Sequence, residues 1–494
     1  HASAEPTAPA APFARAALPA IVMLLALRPA AVAATAPIAD ADVWWVAAAG
    51  REILATGHVP ATNLWSFADA GHPWVMHEWL FAVPYAVLLT RFGPHVFALV
   101  AALACVATLA PAFAVLTRAR NAVTVGFGAL LCTTLFDMRL TSARPPHVAL
   151  ALATATAWLA FRERFTRRDI VAAALLGLLW ANAHGSFPIG LGLLVAAAFE
   201  GRADRRARVM AIAAFAVATF VNPYGARLHG LVLSYLLGGN GVIRLVHAHV
   251  VEFMPVWRAV AAGRLDLARL AGLVLVLALA LGAVARPSLR ARGVFVLALC
   301  AMTLRQYRHL ELTGLLGAPL LAPVMDGWLD RTRWRPETGA WIARHVLRGA
   351  ALVALAAIAS HAVAVAVRPA PAWLYENVGG ADLPALAREV RPGARIFTTF
   401  EHTGVVIWYA TPRGGRVLYD VRNDCYTEAT AVDAGVLQRP RAPGASPLEV
   451  LARRGVDTVL VLATHPLAGI LAGEPRWRED ARRGAWVRLA RGPL

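Results

Sequence analysis

The residues of this chain that could do chemistry are carboxylates, imidazoles and guanidinium groups set between long apolar runs. Asp40 and Asp42 open the segment DADVWWVAAAGREILATGHVPATNLWSFADAGHPWVMHEWL. Carboxylates there could act as a general base or hold a metal ion. They could equally end a helix and stay solvated. His77 and Glu78 form a second acid–base pair in the same segment. Neighbours on a helix do not share a face, so at most one of the two is expected to point into any one site. Trp44, Trp45, Trp65, Trp74 and Trp79 crowd this stretch, and aromatics of this kind favour the headgroup zone of a bilayer.

Further polar clusters interrupt the apolar background. Arg144-Pro145-Pro146-His147 opens one apolar run, and Trp180-Ala181-Asn182-Ala183-His184-Gly185 joins two others. Asn222-Pro223-Tyr224-Gly225 reads as a plain helix stop with a turn. His247, His249 and Glu252 have donor types that zinc accepts, but the spacing is a weak signal. Arg305 and Arg308 precede a run that carries Glu311. Such arginines either snorkel to an interface or capture a phosphate with a bidentate guanidinium.

These residues are positioned by membrane elements. The chain has 494 residues, 58% of them hydrophobic and only 16% charged, and a mean hydropathy of +0.56. A soluble domain carries about 25% charged residues. Apolar segments fall near 16–37, 95–117, 121–137, 147–161, 169–183, 186–199, 209–221, 266–285, 292–304, 309–326 and 347–368. With their ends extended into the loops, they can cross a hydrocarbon core of about 30 Å, which predicts about eleven spans. The net charge of +18 rests on Arg, since Lys is absent. The arginines gather in alternate short loops, at 118–120, 162–168, 202–208, 286–292 and 331–348. By the positive-inside rule these loops are cytoplasmic, and nucleic acid is not an expected partner. The polar clusters then lie outside. Residues 1–15 are expected to be disordered, 16–37 to form a retained first helix and 38–94 a first outer loop. Within that loop, 79–90 is expected as an amphipathic helix at the outer surface.

Residues 370–494 change character. Apolar runs shorten to strand length at 396–400, 417–419 and 456–462, with a helix expected at 447–454. Alternation of this kind argues a small α/β domain. Four cysteines, Cys105, Cys132, Cys300 and Cys425, show no metal-ligand spacing.

The motifs resemble those of GT-C type bacterial membrane glycosyltransferases, which use polyprenyl-phosphate sugars. Within that superfamily they are most similar to a bacterial group with D-x-D-x-W-W (Asp40–Trp45), G-x-x-I-x-x-x-G-x-x-P (Gly50–Pro60) and G-x-P-W-x-x-H-E-W-L (Gly71–Leu80). That group also shows W-x-N-x-H-G (Trp180–Gly185), N-P-Y-G (Asn222–Gly225), G-x-x-x-W (Gly404–Trp408) and D-x-R-x-D-x-Y (Asp420–Tyr426). Val46 stands where the group usually has His. The resemblance implies a GT-C-like helical bundle with an extracytoplasmic C-terminal α/β domain, in a bacterial inner membrane with the N-terminus cytoplasmic. It implies Asp40 as the leading general base, with Asp42 next. Glu78 and His77 would line the cavity, and His184 would approach from a neighbouring turn, with Asn182 and Arg144 as further substrate-binding residues. Arg305 or Arg308 would hold the donor phosphate. The implied partners are a polyprenyl-phosphate sugar donor, membrane lipid and a glycan, lipid or protein acceptor. The motifs fix no cofactor, and a divalent metal ion stays open. Two other classes compete: a lipid or glycan transporter, whose sites belong near mid-membrane, and a non-catalytic scaffold that presents the C-terminal domain.

Overall fold

The computed structural model describes residues 42–93, 96–136, 144–201, 204–239, 241–332, 380–422, 424–440 and 444–492. Asp40, the expected first helix at 16–37 and the expected last membrane segment at 347–368 lie outside them.

Helices dominate up to residue 332, and their boundaries follow from local chemistry. Pro at the first positions opens Pro145–Ala160 and Pro188–Glu200. A capping box, Thr166 with Asp169, starts Arg167–Ala183. Asn121 and Asp266 accept amide hydrogen bonds at the starts of Ala122–Leu135 and Leu267–Val284. The central element is Leu310–Leu329. It packs against Val96–Leu116, Ala122–Leu135, Leu267–Val284 and Arg290–Arg305, and most of its side chains are buried.

Among the described residues, two helices are long and apolar enough to cross a membrane, Leu267–Val284 and Tyr307–Leu329. Shorter apolar helices accompany them, among them Pro188–Glu200 and Trp79–Phe92. Several helices turn large apolar side chains outward: Val171, Leu175 and Leu179 on one, Val274 and Leu281 on another. Spacings of four and seven residues place each set on one face. An outward apolar face fits lipid rather than water.

The two ends of the bundle differ. At one end, arginines cap the last carbonyls of helices: Arg118 Nη1 donates to Phe161 O at 2.6 Å, and Arg208 donates to Ala160 O at 2.6 Å and Arg162 O at 2.7 Å. Arg292 Nε bonds Glu200 Oε2 at 2.8 Å. The opposite end carries the polar clusters at 144–147, 182–186, 222–225 and 305–309.

Residues 42–93 form two helices joined by a folded loop. Asp42–Thr56 and Trp79–Phe92 cross so closely that a Cβ on Gly50 would fall 1.8 Å from Ala82 O. Gly57, at φ +73°, ends the first helix in a conformation that favours glycine. Between the helices, residues 61–74 form a turn closed by Asn63 N to His72 O at 2.8 Å and Trp74 N to Ala61 O at 2.9 Å.

The C-terminal unit is a five-stranded mixed sheet of order β2-β1-β3-β5-β4. Strands β1 (Arg395–Thr398), β2 (Arg416–Val417) and β3 (Thr458–Leu462) are parallel, and β4 (Trp477–Arg483) and β5 (Trp486–Arg491) add antiparallel. The first loop extends this sheet. Val417 N donates to Trp65 O at 2.8 Å and Phe67 N to Val417 O at 3.2 Å, which is main-chain augmentation of the β2 edge. A buried ion pair locks the same junction. Arg422 Nη2 bonds Asp420 Oδ2 at 2.7 Å and Asn63 Oδ1 at 2.8 Å, with its guanidinium 4.4 Å from both the Trp65 and Trp74 rings.

Candidate active site

Where the polar end of the bundle meets the C-terminal unit, a cavity of about 1390 Å³ opens. Its walls include Asp42, His77, Glu78, Arg144, His184 and Arg308. The C-terminal unit adds Tyr419, Arg422 and Asp424 to the wall.

Two groups of side chains face one another there. The first is a chain of alternating charge. Asp42, the first residue of its helix, pairs with Arg144, whose Nε lies 3.1 Å from Asp42 Oδ2. The Trp45 indole donates to Asp42 Oδ1 at 3.1 Å. Arg144 Nη1 reaches Glu252 Oε2 at 3.4 Å, and Arg308 Nη1 lies 3.7 Å from Glu252 Oε1. Arg308 also sits over the Phe253 ring at 4.6 Å. Two guanidinium groups held by carboxylates on a cavity wall can receive a phosphate by exchanging partners.

The second group is His77, Glu78 and His184. Glu78 Oε1 lies 3.7 Å from His77 Nε2 and 4.0 Å from His184 Nε2. The expectation that only one of His77 and Glu78 could face a site fails. Both lie in the turn before Trp79–Phe92 rather than on the helix, so helical spacing does not separate them. Burial pushes the Glu78 carboxyl up to about 8, and the nearby Asp42 carboxylate adds to this. Burial holds His184 well below the usual imidazole range, helped by His77, and lowers His77 as well. The three donor atoms of this triad lie within 4.8 Å of one another, a geometry that can receive a metal ion.

The surrounding motifs hold this triad in place. Tyr224 was read from sequence only as part of a helix stop. Its hydroxyl donates to Pro60 O at 2.6 Å and accepts from Met76 N at 3.0 Å. That strut fixes the chain directly before His77. The Trp180 indole donates to Ser186 Oγ at 3.0 Å, and Ser186 Oγ lies 2.8 Å from His184 Nδ1.

The other expected residues separate. Asn182 is buried behind the cavity, accepting from the Trp79 indole at 2.9 Å and donating to Leu178 O and Val221 O at 2.8 Å. Arg305 ends its helix, is exposed, and does not line the cavity, whereas Arg308 does. Val46 is fully buried in its helix. The side chains of His247 and His249 lie outside the described ones, and Glu252 instead bridges the two arginines. All four cysteines are buried free thiols. Sequence reasoning gave no role to Asp424 or Tyr224, although both stand inside quoted motifs.

The fold of this chain has counterparts among solved structures. Two solved structures share it: ArnT from Cupriavidus metallidurans bound to undecaprenyl phosphate, and the same protein in the apo state. The first matches with a TM-score of 0.52 and 15% identity over 98% of both chains. The second matches with a TM-score of 0.55 and 16% identity over 97% of this chain and 100% of the other. No protein-family model and no curated protein matches the sequence.

Proposed function

We propose that this chain is a glycosyltransferase of the bacterial inner membrane. It moves a sugar from a polyprenyl-phosphate donor to an acceptor at the outer face, through a bundle of about eleven spans with the C-terminal unit outside. The observation that carries this reading is the cavity: carboxylates, imidazoles and arginines meet at one end of an apolar bundle whose fold matches a protein solved with undecaprenyl phosphate. The arginine-capped end, with Arg118, Arg208 and Arg292, is then cytoplasmic. A mid-membrane transport site finds less support, because the cavity residues sit at helix ends.

In the reaction, an acceptor nucleophile attacks the anomeric carbon of the donor sugar. The bond between that carbon and the phosphate oxygen breaks, and polyprenyl phosphate leaves with the electron pair. The acceptor's proton passes to a carboxylate, Asp40 or Asp42. Arg308 and Arg144 hold the phosphate and stabilise the charge that grows on it. Glu78, His77 and His184 shape the opposite wall. Glu252 keeps the two guanidinium groups close together before the donor arrives.

Proteoliposomes holding the full chain, supplied with radiolabelled polyprenyl-phosphate sugars and acceptor lipids, test this reading. Transfer is expected from the wild type and a loss of at least about 100-fold from Asp40→Asn or Asp42→Asn, the scale of a positioned general base. Full transfer by Asp40→Asn removes Asp40 as the base, and full transfer by both variants removes the mechanism.

A further inference from the structure

The cavity is larger than one substrate needs. Its volume of about 1390 Å³ exceeds the roughly 300–1,000 Å³ of a pocket that holds one small ligand. The donor phosphate of the proposed reaction occupies the bundle-side wall, at Arg144 and Arg308. The wall supplied by the C-terminal unit is left without a substrate.

That wall is built on the carboxyl edge of the sheet. Strand β1 lies between two parallel neighbours, and the chain leaves it towards β2, then returns past it to β3. Open α/β sheets bind ligands outside the carboxyl ends of their strands at such a reversal. Phe400 and Glu401 follow the end of β1, Gln438 and Arg439 stand at the end of helix Glu428–Gln438, and all four line the cavity. They form one connected patch. Phe400 N donates to Gln438 Oε1 at 3.2 Å, and Gln438 Nε2 donates to Glu401 Oε2 at 3.1 Å. The Phe400 ring is half-buried and rests against Tyr419, with centroids 5.3 Å apart. His465, in the turn after β3, bonds the Gln438 main chain from behind. Glu401 and Arg439 are exposed, and the Arg439 guanidinium makes no hydrogen bond or ion pair among the described residues. The same cavity holds an unmet acceptor: Asp424 Oδ2 is shut off from solvent and has no hydrogen-bond partner among the described residues, a costly state for a polar atom.

We propose that Phe400, Glu401, Gln438 and Arg439 form a subsite for a neutral saccharide, which is the acceptor if the transferase reading holds. A sugar ring offers an apolar C–H face and neighbouring hydroxyls that both donate and accept. The patch matches both: the Phe400 ring takes the C–H face, the Glu401 carboxylate accepts, the Arg439 guanidinium donates, and the Gln438 amide does either. Glu401 and Arg439 cancel in charge, so the patch selects no ionic ligand. An extended peptide fits less well, because the first loop already covers the β2 edge on which it would pair. The acceptor nucleophile is then a sugar hydroxyl. Its oxygen forms the new bond to the anomeric carbon as the bond to the donor phosphate breaks, and its proton goes to the carboxylate base of the proposed reaction.

Saturation-transfer NMR on the full-length protein in nanodiscs, without any donor lipid, provides the test. The probes are the methyl α- and β-glycosides of glucose, galactose, mannose and arabinose. At least one is expected to give a saturable signal, strongest at the C–H protons of one ring face. Phe400→Ala and Arg439→Ala should each weaken its binding by about 3- to 10-fold, the scale of one aromatic contact or one hydrogen bond. Arg439 is exposed and without a partner among the described residues, so its variant reads binding even if Phe400→Ala fails to fold. The proposal is overturned if no glycoside gives a signal with the wild type, or if Arg439→Ala binds as the wild type does. The readout needs no transfer. Saccharide binding without any transfer would sink the transferase reading and leave the subsite, whereas transfer by Arg439→Ala at an unchanged KM for the acceptor would sink the subsite alone.

Discussion

Tyr224→Phe removes one oxygen atom and two hydrogen bonds. The phenol bridges Pro60 O at 2.6 Å and Met76 N at 3.0 Å, and Met76 is 1% exposed. The substitution keeps the ring and its packing, so no large cavity opens. It leaves the Met76 amide and the Pro60 carbonyl buried without their partner. A buried group stripped of its hydrogen bond loses about 1–3 kcal/mol. For the Met76 amide alone this corresponds to about 5- to 150-fold faster opening. Hydrogen exchange resolved to residues 74–79, compared with a distant helix such as Leu310–Leu329, reads this directly. Acceleration confined to the loop is expected, with a lower thermal midpoint. Unchanged exchange at Met76 would refute the claim that Tyr224 holds the chain entering the site.

Other substitutions give separate readings. Gly50→Ala drives a Cβ into Ala82 O; because the obstacle is backbone, destabilisation of roughly 3 kcal/mol or more is expected, seen as a reduced monodisperse yield in detergent. Arg422→Met strands the fully buried Asp420 carboxylate and should cost about 3–5 kcal/mol. The double variant Asp420→Asn/Arg422→Met should recover part of that, and a thermal midpoint no higher than the single variant's would contradict the pairing. Arg308→Ala should reduce kcat/KM for the lipid donor by about 10- to 150-fold, the loss of one charge-assisted contact of about 1.5–3 kcal/mol; an unchanged value would remove Arg308 from the phosphate site.

The elements legible in the sequence are those whose apolar pattern matches their surroundings. Strands β1, β2 and β3 fall close to the short apolar runs, and the helix Pro447–Arg454 falls on the helix expected at 447–454. Strand β4, WREDARR, has no apolar face to read. It is an edge strand held by its ladder with β5, and its charges protect that edge. The first loop showed its chemistry but not its shape, because its fold depends on β2, about 350 residues away. Likewise, Arg305 and Arg308 look alike in sequence. A helix ending at Arg305, followed by the tight turn Tyr307–His309, sends only Arg308 into the cavity. The role of Tyr224 rests on contacts about 150 residues distant, so a turn motif was all that could be read locally. Asp424 lies in a quoted pattern with two acids, and only the fold separates the one paired with Arg422 from the one lining the cavity.

The central claim is that the cavity between bundle and C-terminal unit receives the phosphate of a polyprenyl lipid. Its most direct test is photo-crosslinking in proteoliposomes with a polyprenyl phosphate that carries a photoreactive group beside the phosphate, mapped by peptide mass spectrometry. The account predicts adducts on peptides containing Met76–Trp79, Arg144 and Arg308, competed by unlabelled polyprenyl phosphate and diminished in Arg308→Ala. Labelling confined to the arginine-capped end, around Arg118, Arg208 and Arg292, would contradict it.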